Sequence, residues 1–177
     1  MGQNIYLTGF SCTGKTTVGK LMSKKNGLTF VDLDEEIEIS QHDSIPNIFS
    51  NLGEDYFRGV ETLVLEEASL NEKSVISTGG GLPTIARNRK IMNKTGIVIL
   101  LTASAETIFN RLNQEMREFG RESYRPVINQ NSDKLQGIIQ VLKSRESSYK
   151  LADICIDTEN KTPDQISDEI IEELFSE

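Results

Sequence analysis

Residues 9–16 read GFSCTGKT, and this stretch decides the fold that we predict for the chain. It matches G-x-x-x-x-G-K-T, the pattern of a loop that binds phosphate groups. The apolar residues 5–7 before it are typical of a buried parallel strand, and Val18, Leu21 and Met22 beyond it recur at helical spacing. Because the motif needs a strand before it and a helix after it, we interpret residues 9–16 as a phosphate-binding loop.

Two side chains of this loop have chemistry of their own. Backbone N–H groups and the positive end of the following helix attract an anion in such a loop. Lys15 is expected to neutralise charge on the β- and γ-phosphates of a nucleotide, and the Thr16 hydroxyl is expected to ligate Mg²⁺. The alternative is a glycine-rich turn with a chance lysine, and the flanking strand and helix argue against it.

Composition limits the classes of function. The chain has 177 residues, enough for one α/β domain with a sizeable core. Its net charge of −8, without a run of Lys or Arg, argues against nonspecific nucleic-acid binding. With no apolar run near the length of a membrane span and no signal peptide, we expect a soluble, cytoplasmic protein. Cys12 and Cys155 do not suggest a disulfide framework, as expected in a reducing compartment.

Strand patterns alternate with helical patterns along the chain. The further strands predicted are 28–33, 75–76, 96–101 and 154–156. The further helices predicted are 54–70, 83–94, 103–112, 135–149 and 163–175. Between residues 37 and 52 the helical patterns are short and broken by Pro46 and Gly53. The alternation predicts a mostly parallel sheet with helices on both faces.

One connection is unusually long. Residues 113–131 are polar and weakly patterned, and they include Arg117, Arg121 and Arg125. Stretches of this length without structure of their own are usually lids or disordered segments. We predict a lid.

Two aspartates mark the end of the second strand. Asp32 and Asp34 lie where open α/β sheets bind their ligands, and two residues apart on a strand they would point to the same face. One could then serve Mg²⁺ while the other faces an acceptor substrate. The equally weighted alternative is a strand end followed by a helix cap, since Asp is a favoured N-cap.

Further candidates are a glycine turn and an arginine. Residues 79–81 are three glycines between a predicted strand and helix, which permit positive φ or close approach of a ligand, although a flexible turn is the alternative. Arg58 can pair with Glu61 at i, i+3, which would hold its guanidinium still. A solvated surface pair is the more usual outcome. His42, the single histidine, is read as a surface residue.

In chain order these features resemble the shikimate kinase family over nearly the whole length. The motifs that carry the resemblance are the loop 9–16, Asp32 with Asp34, Phe57-Arg58, the turn 78–81, Arg125-Pro126 and Arg145. The chain departs from the family pattern at Cys12-Thr13, where small Gly or Ser residues are commoner. It also lacks a proline often found after Arg145.

The resemblance implies a P-loop nucleoside-monophosphate-kinase-like fold. This is a three-layer α/β domain covering residues 1–177, with a mostly parallel sheet, helices on both faces and a mobile lid. A substrate-binding region would lie near 33–61 and the lid near 113–127. The implied activity is transfer of the ATP γ-phosphoryl to the 3-hydroxyl of shikimate with Mg²⁺ as cofactor. The implied partners are ATP and shikimate, with no nucleic acid, no membrane and a monomeric chain.

The resemblance also assigns roles to individual residues. The catalytic residues implied are Asp34, Lys15 and Arg125, of which Arg125 is favoured over Arg117 and Arg121 by its neighbouring proline. The ATP-binding residues implied are Cys12, Thr13, Gly14, Lys15, Thr16, Thr17, Arg111, Arg125 and Lys161. The substrate-binding residues implied are Asp34, Arg58, Gly80, Gly81, Arg145, Ile45, Phe49 and Phe57, with Pro126 and Val127 beside the substrate ring. The metal ligands implied are Thr16 and Asp32.

Two other functions remain as alternatives. Another small-metabolite kinase of this fold, such as a gluconate kinase, is opposed by the triple-glycine turn and the paired substrate arginines. A nucleotide-binding switch protein would carry an N-K-x-D motif for base recognition. The two nearest strings, at residues 93–96 and 160–163, both lack the aspartate.

Overall fold

A computed structural model describes residues 3–119 and 133–175. Five strands form a sheet in which all the pairings are parallel. The strands are β1 (Asn4–Gly9), β2 (Thr29–Asp32), β3 (Ser74–Ser77), β4 (Gly96–Thr102) and β5 (Ile154–Asp157). Their order across the sheet is β2-β3-β1-β4-β5, so the mostly parallel sheet predicted from the sequence is confirmed.

Helices connect successive strands, as parallel pairing requires. The α-helices are α1 (Lys15–Asn26), α2 (Leu33–Gln41), α3 (Ile45–Ser69), α4 (Ala86–Thr95), α5 (Ala105–Phe119), α6 (Lys134–Tyr149) and α7 (Pro163–Phe175). A short 3₁₀ turn, Leu82–Thr84, precedes α4. None of the described helices combines the length and apolar character that crossing a bilayer would need.

The sheet has a hydrophobic core on each face. Side chains alternate along β1, so Tyr6 joins one core while Ile5 and Leu7 join the other. The first core lies against α2, α3 and α4, and the second lies against α1 and α7. The three layers predicted from the sequence follow from this alternation.

The topology brings three candidate segments to one edge of the sheet. The neighbouring strands β1, β2 and β3 are parallel, and in register Asp32 lies opposite Ser77. Their carboxyl ends lead into the phosphate loop, the aspartate pair and the triple-glycine turn respectively. Ligands of open α/β sheets bind at this edge.

Some of the helix boundaries differ from the prediction. Pro46 lies in the first turn of α3, where proline is tolerated, and does not break a helix. Gly53 does interrupt α3, with φ of 83°. Leu63 in α3 is apolar but is 59% exposed, so not every apolar side chain of this helix joins the core. The predicted helix 83–94 is divided into the 3₁₀ turn and α4.

The predicted lid begins inside a helix. α5 was expected to end near residue 112 but continues to Phe119, so the first residues of the lid 113–127 are helical and Arg117 is exposed on α5. Arg121, Arg125, Pro126 and Val127 lie outside the described residues. Their assignments stay predictions, as do the division of residues 1–177 into regions, the monomeric state and the cytoplasmic location.

Candidate active site

The phosphate loop joins β1 to α1 as predicted. Gly14 caps α1 with φ of 94°, a left-handed conformation that suits glycine. Cys12 also has positive φ, at 61°, a conformation that glycine adopts more readily than cysteine does. The buried Thr13 donates its hydroxyl hydrogen to the Phe10 carbonyl at 2.8 Å, so this side chain stabilises the loop from within.

Lys15 and Thr16 lie at the mouth of the loop. Lys15 Nζ donates to the carbonyl oxygens of Gly9 and Phe10, at 3.0 Å and 2.8 Å. The Thr16 hydroxyl donates to Asp32 Oδ2 at 2.7 Å. The loop and the start of its helix thus bring together a lysine cation and a hydroxyl–carboxylate pair.

The strand geometry predicted for the two aspartates is wrong for Asp34. α2 begins at Leu33, so Asp32 is the N-cap and Asp34 lies in the first turn of the helix. Asp32 Oδ1 accepts from the Asp34 N–H at 3.1 Å, while Oδ2 accepts from Thr16. The helix-cap reading of Asp32 is therefore confirmed, and the same carboxylate also contacts the phosphate loop. Its role as a metal ligand stays a prediction.

The Asp34 carboxyl group is a weaker acid than a free aspartate. The residue is exposed to solvent, but protein atoms crowd around its carboxyl group and partly desolvate it. This burial raises its pKa from 3.8 to about 6, and repulsion from Asp32 and Glu38 adds to the rise. Lys15 and Arg58 act in the opposite direction. A carboxyl group with this pKa can exchange a proton near neutral pH.

The triple-glycine turn allows charged side chains to approach the backbone. A Cβ on Gly81 would lie 2.6 Å from Arg58 Nη2, and one on Gly80 would lie 3.0 Å from Arg145 Nη1. None of the three glycines has positive φ, so the prediction of close approach is confirmed and the need for left-handed backbone is not. The turn lies between the two arginines predicted to hold the substrate.

The pairing predicted for Arg58 is confirmed, but in a buried setting. Arg58 Nη1 bonds Glu61 Oε2 at 2.8 Å, and the Glu61 side chain is only 1% exposed. Glu54 holds Nη2 at 3.1 Å from the other side. Burial raises the pKa of Glu61, and the Arg58 charge lowers it. The usual solvated surface pair is therefore not formed, and two carboxylates fix the guanidinium.

Arg145 reaches the site from α6. Its guanidinium carbon lies 5.7 Å from the centre of the Phe10 ring, within the range of a cation–π contact. It thus lies above the first variable residue of the phosphate loop and next to Gly80. Arg58 and Arg145 are 87 positions apart in the chain but flank one turn.

The apolar residues predicted to line the substrate ring cluster on α3. The rings of Phe49 and Phe57 are 4.5 Å apart at their centres and tilted by 34°. Phe57 is buried, while Phe49 and Ile45 are partly buried and pack against the same core. These side chains form an apolar surface, and the Arg58 guanidinium lies over the Phe57 ring at its side.

Of the other residues predicted to bind ATP, Arg111 contacts the phosphate loop directly. Arg111 donates to the Cys12 carbonyl at 3.0 Å and to the Thr158 carbonyl at 2.9 Å. Lys161 forms a salt bridge with Glu169 at 2.6 Å. Thr17 is exposed in the first turn of α1. Arg111 therefore links the phosphate loop to the segment after β5.

A family model described as shikimate kinase matches residues 11–175. The chain belongs to the shikimate kinase family. A shikimate kinase of Thermodesulfovibrio yellowstonii is 40% identical to it over 171 residues, which make up 97% of this chain and 94% of that relative.

Solved structures agree with the shikimate kinase assignment. The structure titled shikimate kinase from Acinetobacter baumannii in complex with shikimate has a TM-score of 0.88 and 33% identity, over 98% of this chain and 93% of that one. A gluconokinase from Sinorhizobium meliloti has a TM-score of 0.58 at 17% identity, over 98% of this chain and 96% of that one. The second likeness shows the shared fold alone, so the gluconate kinase alternative is not supported.

Three contacts of this shikimate kinase site were not predicted from the sequence. They are Phe10 beneath Arg145, Thr158 bonded to Arg111, and Tyr149, whose hydroxyl donates to the Gly80 carbonyl. Phe10 lies within the phosphate loop 9–16, so its position there was a usable signal. Thr158 follows the predicted strand 154–156, and nothing local marks its contact with Arg111. Tyr149 lies at the end of a helix, and its sequence neighbours give no sign of its contact with Gly80.

Proposed function

We propose that this chain transfers the γ-phosphoryl group of ATP to the 3-hydroxyl of shikimate. The observation that carries the proposal is the triple-glycine turn at the carboxyl edge of the sheet. Around it lie two arginines for an acid, Arg58 and Arg145, and a carboxyl group for a hydroxyl, Asp34. The phosphate loop adjoins the turn, since a Cβ on Gly80 would lie 3.1 Å from the Gly9 carbonyl.

In the proposed reaction, the protein positions two reactants and neutralises charge. Lys15 exchanges its loop carbonyls for phosphate oxygens when ATP binds. Asp34 accepts the proton of the attacking hydroxyl or orients that hydroxyl. Arg58, Arg145 and the backbone of Gly80 and Gly81 hold the acid, with its carbon ring against Ile45, Phe49 and Phe57. Arg125 would stabilise the transferring group from the lid.

The oxygen atoms at the loop fit Mg²⁺. Thr16 Oγ1 and Asp32 Oδ2 are adjacent, and Ser77 Oγ lies 3.4 Å from the threonine hydroxyl. No group of three or more His, Cys, Asp or Glu side chains able to hold a metal occurs among the described residues. Magnesium in kinase sites is usually held by one or two protein oxygens together with phosphates and water, so a small set suffices. When bound, the ion would neutralise phosphate charge.

We expect Thr16→Ala to raise the Mg²⁺ concentration needed for half-maximal activity. The alanine lacks the hydroxyl ligand and removes the hydrogen bond that orients Asp32, and loss of such partners typically costs about 10- to 100-fold in metal affinity. Thr16→Ser keeps the hydroxyl and should need less Mg²⁺ than Thr16→Ala. Mg²⁺ titrations of the three proteins at saturating ATP check this, and full turnover in excess chelator would contradict the metal requirement.

The proposed function is tested by a panel of acceptors and nucleotides. ADP formation is measured in a coupled assay with shikimate, gluconate or no acceptor, each with ATP and then with GTP. ATP with shikimate should give the highest kcat/KM by a wide margin. Preference for gluconate would favour the sugar-acid alternative, and preference for GTP without an acceptor would favour the switch-protein alternative.

A further inference from the structure

We infer that Tyr149 is a positioning residue for the acceptor, because it fixes the peptide between Gly80 and Gly81. The inference rests on the proposed function, since it concerns how the acid is held. Tyr149 is the last residue of α6, is 7% exposed and donates its hydroxyl hydrogen to the Gly80 carbonyl at 2.8 Å. This bond joins the end of a helix to the centre of the triple-glycine turn.

The peptide held by Tyr149 carries a donor on its opposite side. In a trans peptide the carbonyl of one residue and the N–H of the next point in opposite directions. The Gly81 N–H therefore points away from Tyr149. Within the described residues neither the Gly80 nor the Gly81 N–H donates to a protein acceptor, so both are available to a ligand. Fixing the Gly80 carbonyl fixes the direction of the Gly81 donor.

Glycine makes this control necessary. A turn of three glycines has unusual freedom, because no Cβ restricts its backbone. A side chain at Gly81 or Gly80 would displace the guanidinium of Arg58 or Arg145, so restricting the turn by substitution would disturb the arginines. A hydrogen bond from a buried tyrosine restricts the turn without adding an atom to the cleft.

Tyr149 and Arg145 act from one helix. They are four residues apart on α6, a spacing that places both side chains on the same face. Arg145 Nη1 lies beside Gly80 while the Tyr149 hydroxyl holds its carbonyl. Burial raises the pKa of Tyr149, only partly offset by the Arg145 charge, so the hydroxyl keeps its proton and remains a donor at neutral pH.

The opposite side of the turn is also tied down. Thr62 Oγ1, one helical turn beyond Arg58, lies 3.0 Å from the Arg58 carbonyl and 2.9 Å from Asn88 Oδ1. The buried Asn88 in turn donates to the Leu82 carbonyl at 3.3 Å. The end of the turn is therefore linked to the Arg58 helix, and Tyr149 links its centre to the Arg145 helix. The spacing between the two arginines depends on both links.

The test compares two tyrosine variants that each lose one buried hydroxyl. Tyr149→Phe removes the bond to Gly80. Tyr6→Phe removes a hydrogen bond of 2.6 Å to Thr95 Oγ1. Thr95 is the last residue of α4 and precedes β4, so this bond lies near the amino ends of the strands, away from the proposed site. Shikimate and ATP dissociation constants are measured by calorimetry for each protein, together with kcat, KM and the midpoint of thermal unfolding.

Tyr149→Phe should raise the dissociation constant and KM for shikimate by about 2- to 10-fold, the usual worth of one net hydrogen bond. Its ATP dissociation constant should match the wild type. Tyr6→Phe should leave both constants unchanged even if its unfolding midpoint falls as far. Combined with Arg145→Lys, Tyr149→Phe should add less than its full effect, because both act on the Gly80 peptide.

Three results would overturn the inference. The first is a Tyr149→Phe variant that binds shikimate as tightly as the wild type does. The second is a variant that binds ATP and shikimate equally more weakly, as a merely structural role would predict. Fully multiplicative effects with Arg145→Lys would also contradict it. Each of these leaves the proposed function intact. A wild-type protein that fails to bind shikimate would overturn the proposed function, and this inference with it.

Discussion

Asp34→Asn should lower the turnover number by about 10²- to 10⁴-fold, the usual contribution of general-base catalysis. Asparagine keeps the size of the side chain but cannot take a proton from the acceptor hydroxyl. The Asp34 carboxyl group lies beside Gly79 of the glycine turn, and Asp32 and Lys15 are close enough to alter its pKa.

 A steady-state assay at saturating ATP and shikimate checks the prediction.

The pH dependence of the wild type gives a second readout of the same residue. Asp34 must be ionised to accept a proton, and its pKa of about 6 lies above the usual 3.8. The kcat/KM for shikimate should therefore rise with pH through about 6, and this limb should be absent in Asp34→Asn. Glu36→Gln removes one exposed negative charge from the same helix and serves as the matched control.

Unfolding should not explain the loss. Because the folded state binds the Asp34 proton more tightly than the unfolded chain does, the free energy of unfolding falls as the pH rises from about 4 to about 6. At pH 7 the ionised carboxylate therefore disfavours the folded state, and asparagine removes this effect. The variant should be no less stable than the wild type at pH 7. If Asp32→Asn proved more damaging to turnover than Asp34→Asn, the roles of the two aspartates would be reversed.

Arg58→Lys and Arg145→Lys should each weaken shikimate binding by about one to two decades while ATP binding is retained. A hydrogen bond to a charged group contributes roughly 1.5–3 kcal/mol, and lysine keeps the charge but loses the planar fork that grips a carboxylate. Arg87→Lys is the matched control, since Arg87 pairs with Glu66 at 2.6 Å on the exposed surface. Calorimetric titration with shikimate and with ATP measures both affinities.

Changing the ligand makes the test of the arginines sharper. Replacing the carboxylate of shikimate by a neutral primary alcohol should cost the wild type heavily. The same replacement should cost the two arginine variants much less, because each has already lost part of the group that reads the carboxylate. Equal discrimination between acid and alcohol by all three proteins would show that Arg58 and Arg145 do not recognise the acid.

The sequence predicted the parts of the fold that depend on local pattern. The phosphate loop, the alternation of strands and helices and the pair formed by Arg58 and Glu61 follow from spacing along the chain, and all three are confirmed. Spacing could not decide where β2 ends. The strand was predicted to continue to residue 33, but it ends at Asp32, which caps α2. Asp34 therefore reaches the site from the first turn of a helix.

The rest of the site depends on contacts between distant segments. The reason for glycine at residues 79–81 is the space taken by side chains from α3 and α6, which no local pattern shows. The bond between Tyr149 and Gly80 joins residues 69 positions apart, and neither has a neighbour that marks the contact. Burial likewise raises the pKa of Asp34, and burial is a property of the folded chain.

The position of the phosphate in the product tests the proposed reaction most directly. The wild type is incubated with ATP, Mg²⁺ and shikimate, and the product is examined by phosphorus and carbon NMR. A single phosphate monoester on the 3-hydroxyl, formed in equal amount to ADP, is the predicted result. ADP formed without a phosphorylated acid, or a phosphate on another hydroxyl, would contradict the proposed transfer.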